Sequence, residues 1–339
     1  MYDAGQTDRG EGWWIVRALE QPSWGGPGDM RVVDGVAVPV AGTGEVLVRV
    51  SAAGVNFADV MQTRGTYDGG PRPPYIAGFE AAGEVVAIGD GVTTVSVGTR
   101  VIGTGYGAFA EYMIMQADSV APVPAGWKDE ESLGLVLNWA TALAALRPLG
   151  RLSAGETVLV HAAAGAVGQA AVRMAKYYGA TVIATASAAK HDVVRRLGAD
   201  HVLDYRTAEL ISEVRRLTDD RGVDVVLESV GGETFRQSVA VAKRVTGKVI
   251  VYGAAGGEAT ISNWELNFKH PVHLIGLHIG TLIQQAPEMF ADLMDELNTL
   301  IAAGVYLPGQ PTIYDLADGP KALAELEARA TVGKIALKP

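Results

Sequence analysis

The chain has 339 residues, 48% of them hydrophobic and 19% charged, which is enough apolar material for two domains of ordinary size. Twenty-eight Lys and Arg against 38 Asp and Glu leave a net charge of −10, which argues against a nucleic-acid or anionic-membrane surface. There is no cysteine, which excludes disulfides and thiolate zinc sites and is compatible with the cytoplasm, the expected location.

The opening MYDAGQTDRGEG has no apolar signal core, and no stretch reads as long enough to span a bilayer. A flexible leader is expected, with ordered structure from near Trp14. Residues 14–60 alternate or run apolar in short segments (Trp14–Leu19, Met30–Val33, Glu45–Val50) separated by glycine turns, which predicts a compact β-rich barrel. A short helix is expected over Asn56–Thr63, stopped by Gly65. A Pro- and Gly-rich loop carrying Tyr67 follows, then strands at Glu80–Gly89, Arg100–Gly103 and Gly107–Met115. A helix near Asp129–Leu149 leads into strands at 157–161, 180–186, 200–204, 223–229, 247–252 and 272–278. Helices at 166–178, 188–197, 208–218 and 233–243 alternate with them. That alternation predicts a parallel sheet wound on both faces. A helix at 286–303 returns toward the first domain, and the chain ends in a helix and a strand.

The segment ETVLVHAAAGAVGQAAVRMAKYYG (156–179) joins a buried apolar strand to a helix through a turn of small residues. Ala163, Gly165 and Gly168 fill the small positions of a dinucleotide fingerprint, and Ala164, Ala166 and Val167 complete the turn. The free N–H groups of the first helical turn and the helix dipole suit a phosphate there. The alternative is a tight turn that only packs helix on strand. A site that prefers NAD has an acidic residue at the end of the second strand. Here Ser187 stands at that end and Lys190 follows in the next helical turn, which favours NADPH over NADH. Otherwise Ser187 is an N-cap and Lys190 a solvated side chain. Further cofactor contacts are expected from the carboxyl ends of neighbouring strands: Tyr205, Val230, Gly253, Ala254, Leu277 and His278.

From Trp14 onward the chain resembles the zinc-free medium-chain dehydrogenases/reductases of the quinone oxidoreductase (zeta-crystallin-like) group. GVNFADVMQTRGTYDGG (54–70), GFEAAGEV (78–85), the Ala162-x-x-Gly165-x-x-Gly168 turn and TASAAKHDVVRRLGADHVLDYR (185–206) carry the resemblance. The segments at 54–70 and 185–206 are most similar to the vesicle amine transport protein branch and to polyketide enoyl reductases. The resemblance implies an α/β protein with a Rossmann doubly wound sheet over 131–299 and a GroES-like β-rich catalytic domain over 1–130 and 300–339. Zinc members place Cys and His where Asn56 and Phe79 stand, so no metal is expected, and His270-x-x-His273 more simply flanks a strand.

The implied chemistry is hydride transfer from NADPH to a quinone or an α,β-unsaturated carbonyl. The forming enolate then needs hydrogen-bond donors and a proton. The resemblance makes Tyr67 the candidate donor. Water or the nicotinamide ribose hydroxyl is the alternative, since a free phenol has a pKa near ~10. Asn56 is expected on the nicotinamide ribose or the substrate oxygen, or else as a helix N-cap, and Thr141 on the nicotinamide. Tyr106, Phe109 and Trp139 are candidate pocket walls. A homodimer through the edge strand at 272–278 is expected. An enoyl-thioester reductase and a non-catalytic NADPH-binding interaction protein are the competing readings.

Overall fold

The computed structural model describes residues 15–339. The expected leader and Trp14 lie outside the described residues. The amino-terminal strands are β1 (Ile15–Gln21), β2 (Arg31–Ala37), β3 (Glu45–Val55), β4 (Tyr75–Ile76), β5 (Glu80–Ile88), β6 (Arg100–Thr104), β7 (Tyr112–Gln116) and β8 (Val120–Pro122), with α1 (Phe57–Thr63) between β3 and β4. One sheet runs β2-β1-β4. The larger one runs from β3 through β5 and β6 to β8, with β7 on the other side of β3. Buried Val46, Val48, Val50, Ala81, Val85, Val101, Phe109, Met113 and Met115 fill the space between them. β7 starts five residues later than expected, because Gly107 adopts φ 84° and the chain turns there before pairing.

The run from Asp129 to Leu149 is less regular than its composition predicts. It comprises α2 (Asp129–Ser132), a wide turn over Leu135–Trp139, α3 (Ala140–Ala144) and a second wide turn over Ala145–Leu149. Gly134 at φ 97° breaks it, and Pro148 removes a backbone donor near its end. Contrary to expectation, these 21 residues are long and apolar enough to cross a membrane by composition alone. However, 72% of the most apolar window is buried within the fold, so the apolarity belongs to a core segment.

The strands β9 (Thr157–Val160), β10 (Thr181–Ala186), β11 (His201–Asp204), β12 (Val225–Glu228), β13 (Lys248–Val251) and β14 (His273–Gly276) form one parallel sheet in the order β11-β10-β9-β12-β13-β14. This is the doubly wound order in which β9 is the first strand and the chain reverses direction across the sheet beside it. The central strands are apolar on both faces because helices cover both faces: Val158, Leu159 and Val160 have no exposure. The covering helices are α4 (Ala166–Tyr177), α5 (His191–Arg196), α6 (Leu210–Leu217) and α7 (Gly232–Val241). After β14 come α8 (Ile279–Gln285), a stretch to which the sequence pattern assigns no element, and α9 (Pro287–Ala302). The chain then returns to the first domain. β15 (Thr312–Asp315) and β16 (Ile335–Lys338) extend its large sheet through β16 on β3, and α10 (Gly319–Glu327) lies between them.

Candidate active site

All six parallel strands point their carboxyl ends at one edge, so the loops after them converge there. The fingerprint turn follows β9. Ala162 takes φ 48°, Gly165 caps α4, and the first N–H groups of α4 have no partner within the helix. The two glycines differ in purpose. A Cβ on Gly168 would meet Ala162 O at 2.5 Å and Ala163 Cα at 2.6 Å, so glycine is required for the helix to pack against its own turn. A Cβ on Gly165 would meet one atom, Ala162 O at 3.3 Å, and would otherwise protrude. Packing therefore does not fully explain Gly165. An open face above a helix start is what a phosphate cradle needs, so the turn fits a dinucleotide. Ala164, Ala166 and Val167 lie in this turn and its first helical residues.

Ser187 follows β10 and caps a short turn, Ala188–Lys190, though its hydroxyl makes no cap bond. The Lys190 ammonium donates to Arg329 O at 2.8 Å and Thr331 O at 2.6 Å. Burial lowers its pKa, the phenol of Tyr205 opposes that shift, and the Arg206 charge adds to it. Lys190, Tyr205 and Arg206 thus share one corner of the edge, and the carboxyl-terminal segment around Arg329 closes it. Arg329 was missed in the sequence, because nothing local to residue 329 reports that β16 returns its approach segment to this turn. Gly333 N donates to Ala164 O at 2.8 Å, which fixes that approach.

Val230, Gly253 and Ala254 follow β12 and β13, where their loops are laced together: Ala255 N donates to Ser229 O and Gly256 N to Val230 O. Glu228 holds the first of these loops from below. Its Oε1 accepts from Val230 N at 2.6 Å and Gly231 N at 2.9 Å, and its Oε2 accepts from Ser238 Oγ. His161 bridges Ser238 and Thr185 in the same buried set, and burial lowers its pKa despite the nearby Glu228. His161 is therefore a neutral core group.

The opposite wall of the cleft comes from the first domain. Tyr67, Phe79 and Tyr106 form a row, with ring centroids 5.3 Å apart at both steps. The Tyr106 hydroxyl donates to Gly69 O at 2.9 Å and ties the Tyr67 loop down. Tyr67 Oη lies 2.8 Å from Nε2 of His278, which follows β14 after buried Leu277. Burial raises the pKa of Tyr67, and Tyr106 and Asp59 raise it further. Of the other expected pocket walls, Phe109 is fully buried beneath Gly78, and the half-buried Trp139 stacks on Tyr306 at 3.6 Å. Thr141 is buried, and its hydroxyl donates to Leu137 O at 2.6 Å within the helix.

Asn56 is committed to a buried network that its local sequence does not announce. Its Nδ2 donates to Gly54 O at 3.2 Å and Glu80 Oε2 at 3.1 Å, and its Oδ1 accepts from Asn138 Nδ2 at 3.0 Å and Lys334 Nζ at 2.7 Å. Lys334 also donates to Glu80 Oε2 at 2.5 Å and Asn138 Oδ1 at 2.8 Å, and Glu80 Oε1 accepts from Gly134 N at 2.6 Å. Both ends of the Asn56 amide are thus engaged, so a direct bond to a ligand would displace one of these partners. The helix start is capped from the other side, by the Asp59 carboxylate accepting from Asn56 N at 2.7 Å. Among the described residues, no three His, Cys, Asp or Glu side chains are grouped to hold a metal.

Comparison with known proteins agrees with this layout. Residues 42–125 match the alcohol dehydrogenase GroES-like domain and residues 166–299 the zinc-binding dehydrogenase domain. The synaptic vesicle membrane protein VAT-1 homolog of Danio rerio is 34% identical, covering 96% of this chain and 70% of that protein. The structure of Escherichia coli quinone oxidoreductase complexed with NADPH superposes with a TM-score of 0.89 at 32% identity, covering 95% of this chain and all of that one. CurK enoyl reductase superposes with a TM-score of 0.86 at 29% identity, covering 96% and 98%.

Proposed function

The chain belongs to the zinc-free, quinone-oxidoreductase-like group of medium-chain dehydrogenases/reductases, and from that premise we propose that it binds NADPH and reduces quinones or α,β-unsaturated carbonyls. The observation that carries this reading is the union of two walls. A fingerprint turn suited to a pyrophosphate follows β9, and a phenol, Tyr67, is held against His278, which follows β14 at the same carboxyl edge of the sheet. NADPH would supply a hydride to the acceptor's electrophilic carbon.

The chain's own residues divide the remaining work. The first N–H groups of α4 receive the pyrophosphate. Lys190, with Tyr205 and Arg206 beside it, takes the 2′-phosphate and sets the preference for NADPH. Leu277, His278, Thr141, Val230, Gly253 and Ala254 line the path toward the nicotinamide. Phe79 and Tyr106 flank Tyr67 and hold its ring in place. Tyr67 gives a proton to the reduced acceptor. Asn56 acts through Lys334 and Glu80, by fixing the floor of the cleft. The bound copy of NADPH in the similar E. coli quinone oxidoreductase supports the cofactor assignment. The likeness to CurK enoyl reductase supports a second reading, in which the enone is an acyl thioester.

A homodimer is part of the proposal. β14 is the last strand of the parallel sheet, and Leu274 and Ile275 on it are only half-buried, an edge that a second copy would cover. A cytoplasmic location fits this reading.

Steady-state oxidation of NADPH with 9,10-phenanthrenequinone, 1,4-benzoquinone and crotonyl-CoA tests the function. Turnover of a quinone, with crotonyl-CoA poor, supports the first reading, and the reverse order supports the thioester reading. Tight NADPH binding with no turnover of any of the three would leave an NADPH-binding protein without this activity.

A further inference from the structure

The contact between Tyr67 and His278 joins the two domains, and its direction can be worked out. His278 is the N-cap residue of α8, and its side chain does the capping: Nδ1 accepts from Thr281 N at 3.1 Å. The Thr281 hydroxyl lies 2.9 Å from the same nitrogen. A backbone N–H can only donate, so Nδ1 carries no hydrogen, and the neutral ring holds its proton on Nε2. Nε2–H therefore donates to Tyr67 Oη at 2.8 Å. The phenol oxygen accepts, and its own hydrogen is left free to point elsewhere. In the opposite tautomer the phenol hydrogen would be spent on the imidazole, and Tyr67 could give nothing to a substrate.

We propose that His278 is a positioning residue for Tyr67: its Nε2–H fixes the phenol oxygen, leaves the phenol hydrogen free for the acceptor, and holds the phenolate left when that hydrogen is given up. The inference rests on Tyr67 being the proton donor in the reaction proposed above. In the complete step the acceptor gains a hydride from bound NADPH at its β-carbon, and its π electrons move to give an enolate. The Tyr67 O–H bond breaks, and its proton goes to the enolate. The phenolate later regains a proton from water, which reaches the pair because His278 is exposed at the cleft.

Three other groups face Tyr67. Phe79 offers only a ring face or edge. Tyr106, from the loop after β6, and Asp59, from α1, both oppose a phenolate. Among the described residues His278 is the one side chain that donates to the phenol oxygen, so it alone offsets that opposition.

The test separates this role from helix capping. His278→Asn keeps a good N-cap residue but is too short to reach Tyr67. We expect kcat to fall roughly tenfold to a hundredfold, as for loss of a hydrogen bond to a charged group. The alkaline limb of the pH profile should move upward, because the phenol becomes a weaker acid. In a Tyr67→Phe background the same substitution should change kcat little. His278→Gln, whose amide N–H can reach the phenol, should recover part of the rate. Equal losses in both backgrounds, or an alkaline limb that stays in place, would overturn the proposal. A second readout does not depend on turnover: the ionisation of Tyr67, followed by carbon-13 labelled tyrosine resonances with NADPH bound. If the wild type reduces none of the acceptors, the reductase reading fails by itself. A Tyr67 titration unmoved by His278→Asn would then also refute the pairing, and an upward shift would uphold it.

Discussion

At the scale of single residues, the proposal assigns the cofactor preference to Lys190. Its ammonium is held by Arg329 O and Thr331 O, with Tyr205 and Arg206 nearby. Lys190→Ala should weaken NADPH roughly tenfold or more, the size of one charge-assisted contact, with little effect on NADH. Fluorescence titration with both cofactors checks this, and equal losses would remove the phosphate role. Asp59 gives a pH signature. It is buried, and its carboxyl is pushed up to about 7, chiefly by burial, against lowering by the Asn56 N–H and Lys334. The folded value lies above the ordinary 3.8, so the folded chain holds a proton between those values that the unfolded chain has lost. The associated stability is complete below the ordinary value and is lost as pH rises through about 7. Asp59→Asn imitates the protonated group. It should flatten this dependence and make the variant relatively more stable above pH 7 in denaturant titrations at several pH values. The turn at Gly165 and Gly168 was legible in the sequence because it lies within one strand-turn-helix unit, whereas the carbonyls that hold Lys190 come from residues 329 and 331. Asp59 was not, since its pKa depends on burial beneath a different part of the chain.

At the scale of elements, the strand-turn-helix at β9–α4 separates packing from binding. The two glycines make the separation measurable. Gly168→Ala should destabilise by ~1–3 kcal/mol, because its Cβ would collide with the Ala162 and Ala163 backbone. Gly165→Ala should cost less stability, because one contact at 3.3 Å can relax, yet weaken NADPH strongly by filling the open face. Chemical denaturation beside cofactor titration distinguishes them, and the same ranking in both assays would contradict the division. The alternation of strands and helices made the parallel sheet readable, because period and glycine position are local properties. The bridging run at 129–149 read as one helix because apolarity alone cannot show Gly134 turning its N–H toward Glu80. α8 was missed for a related reason. Its cap is a histidine, which is outside the usual Ser, Thr, Asp and Asn signals.

At the scale of the whole molecule, Lys334 links four distant parts of the chain. It reaches Asn56 before α1, Glu80 at the start of β5 and Asn138 in the bridging run, and it is itself brought in by β16 on β3. Glu80 is fully buried and Lys334 nearly so, so removing the cation strands a carboxylate without its counter-charge. Lys334→Met should cost ~3–5 kcal/mol of stability, and adding Glu80→Gln should recover part of it. Thermal and denaturant unfolding of the single and double variants checks the coupling. No sequence pattern joins residues 80 and 334, which is why this network emerged only in three dimensions. The same closure brings the Tyr67 row over the nucleotide edge.

In the proposed reaction a hydride passes from NADPH to a conjugated acceptor, with a proton added separately. The direct measurement uses NADPH deuterated at C4 on the transferred face, a small α,β-unsaturated ketone and protein dialysed against a chelator, with the product read by NMR. The expected product carries one deuterium at the β-carbon and a hydrogen of solvent origin at the α-carbon. A product without deuterium, or no product while NADPH stays bound, would contradict it.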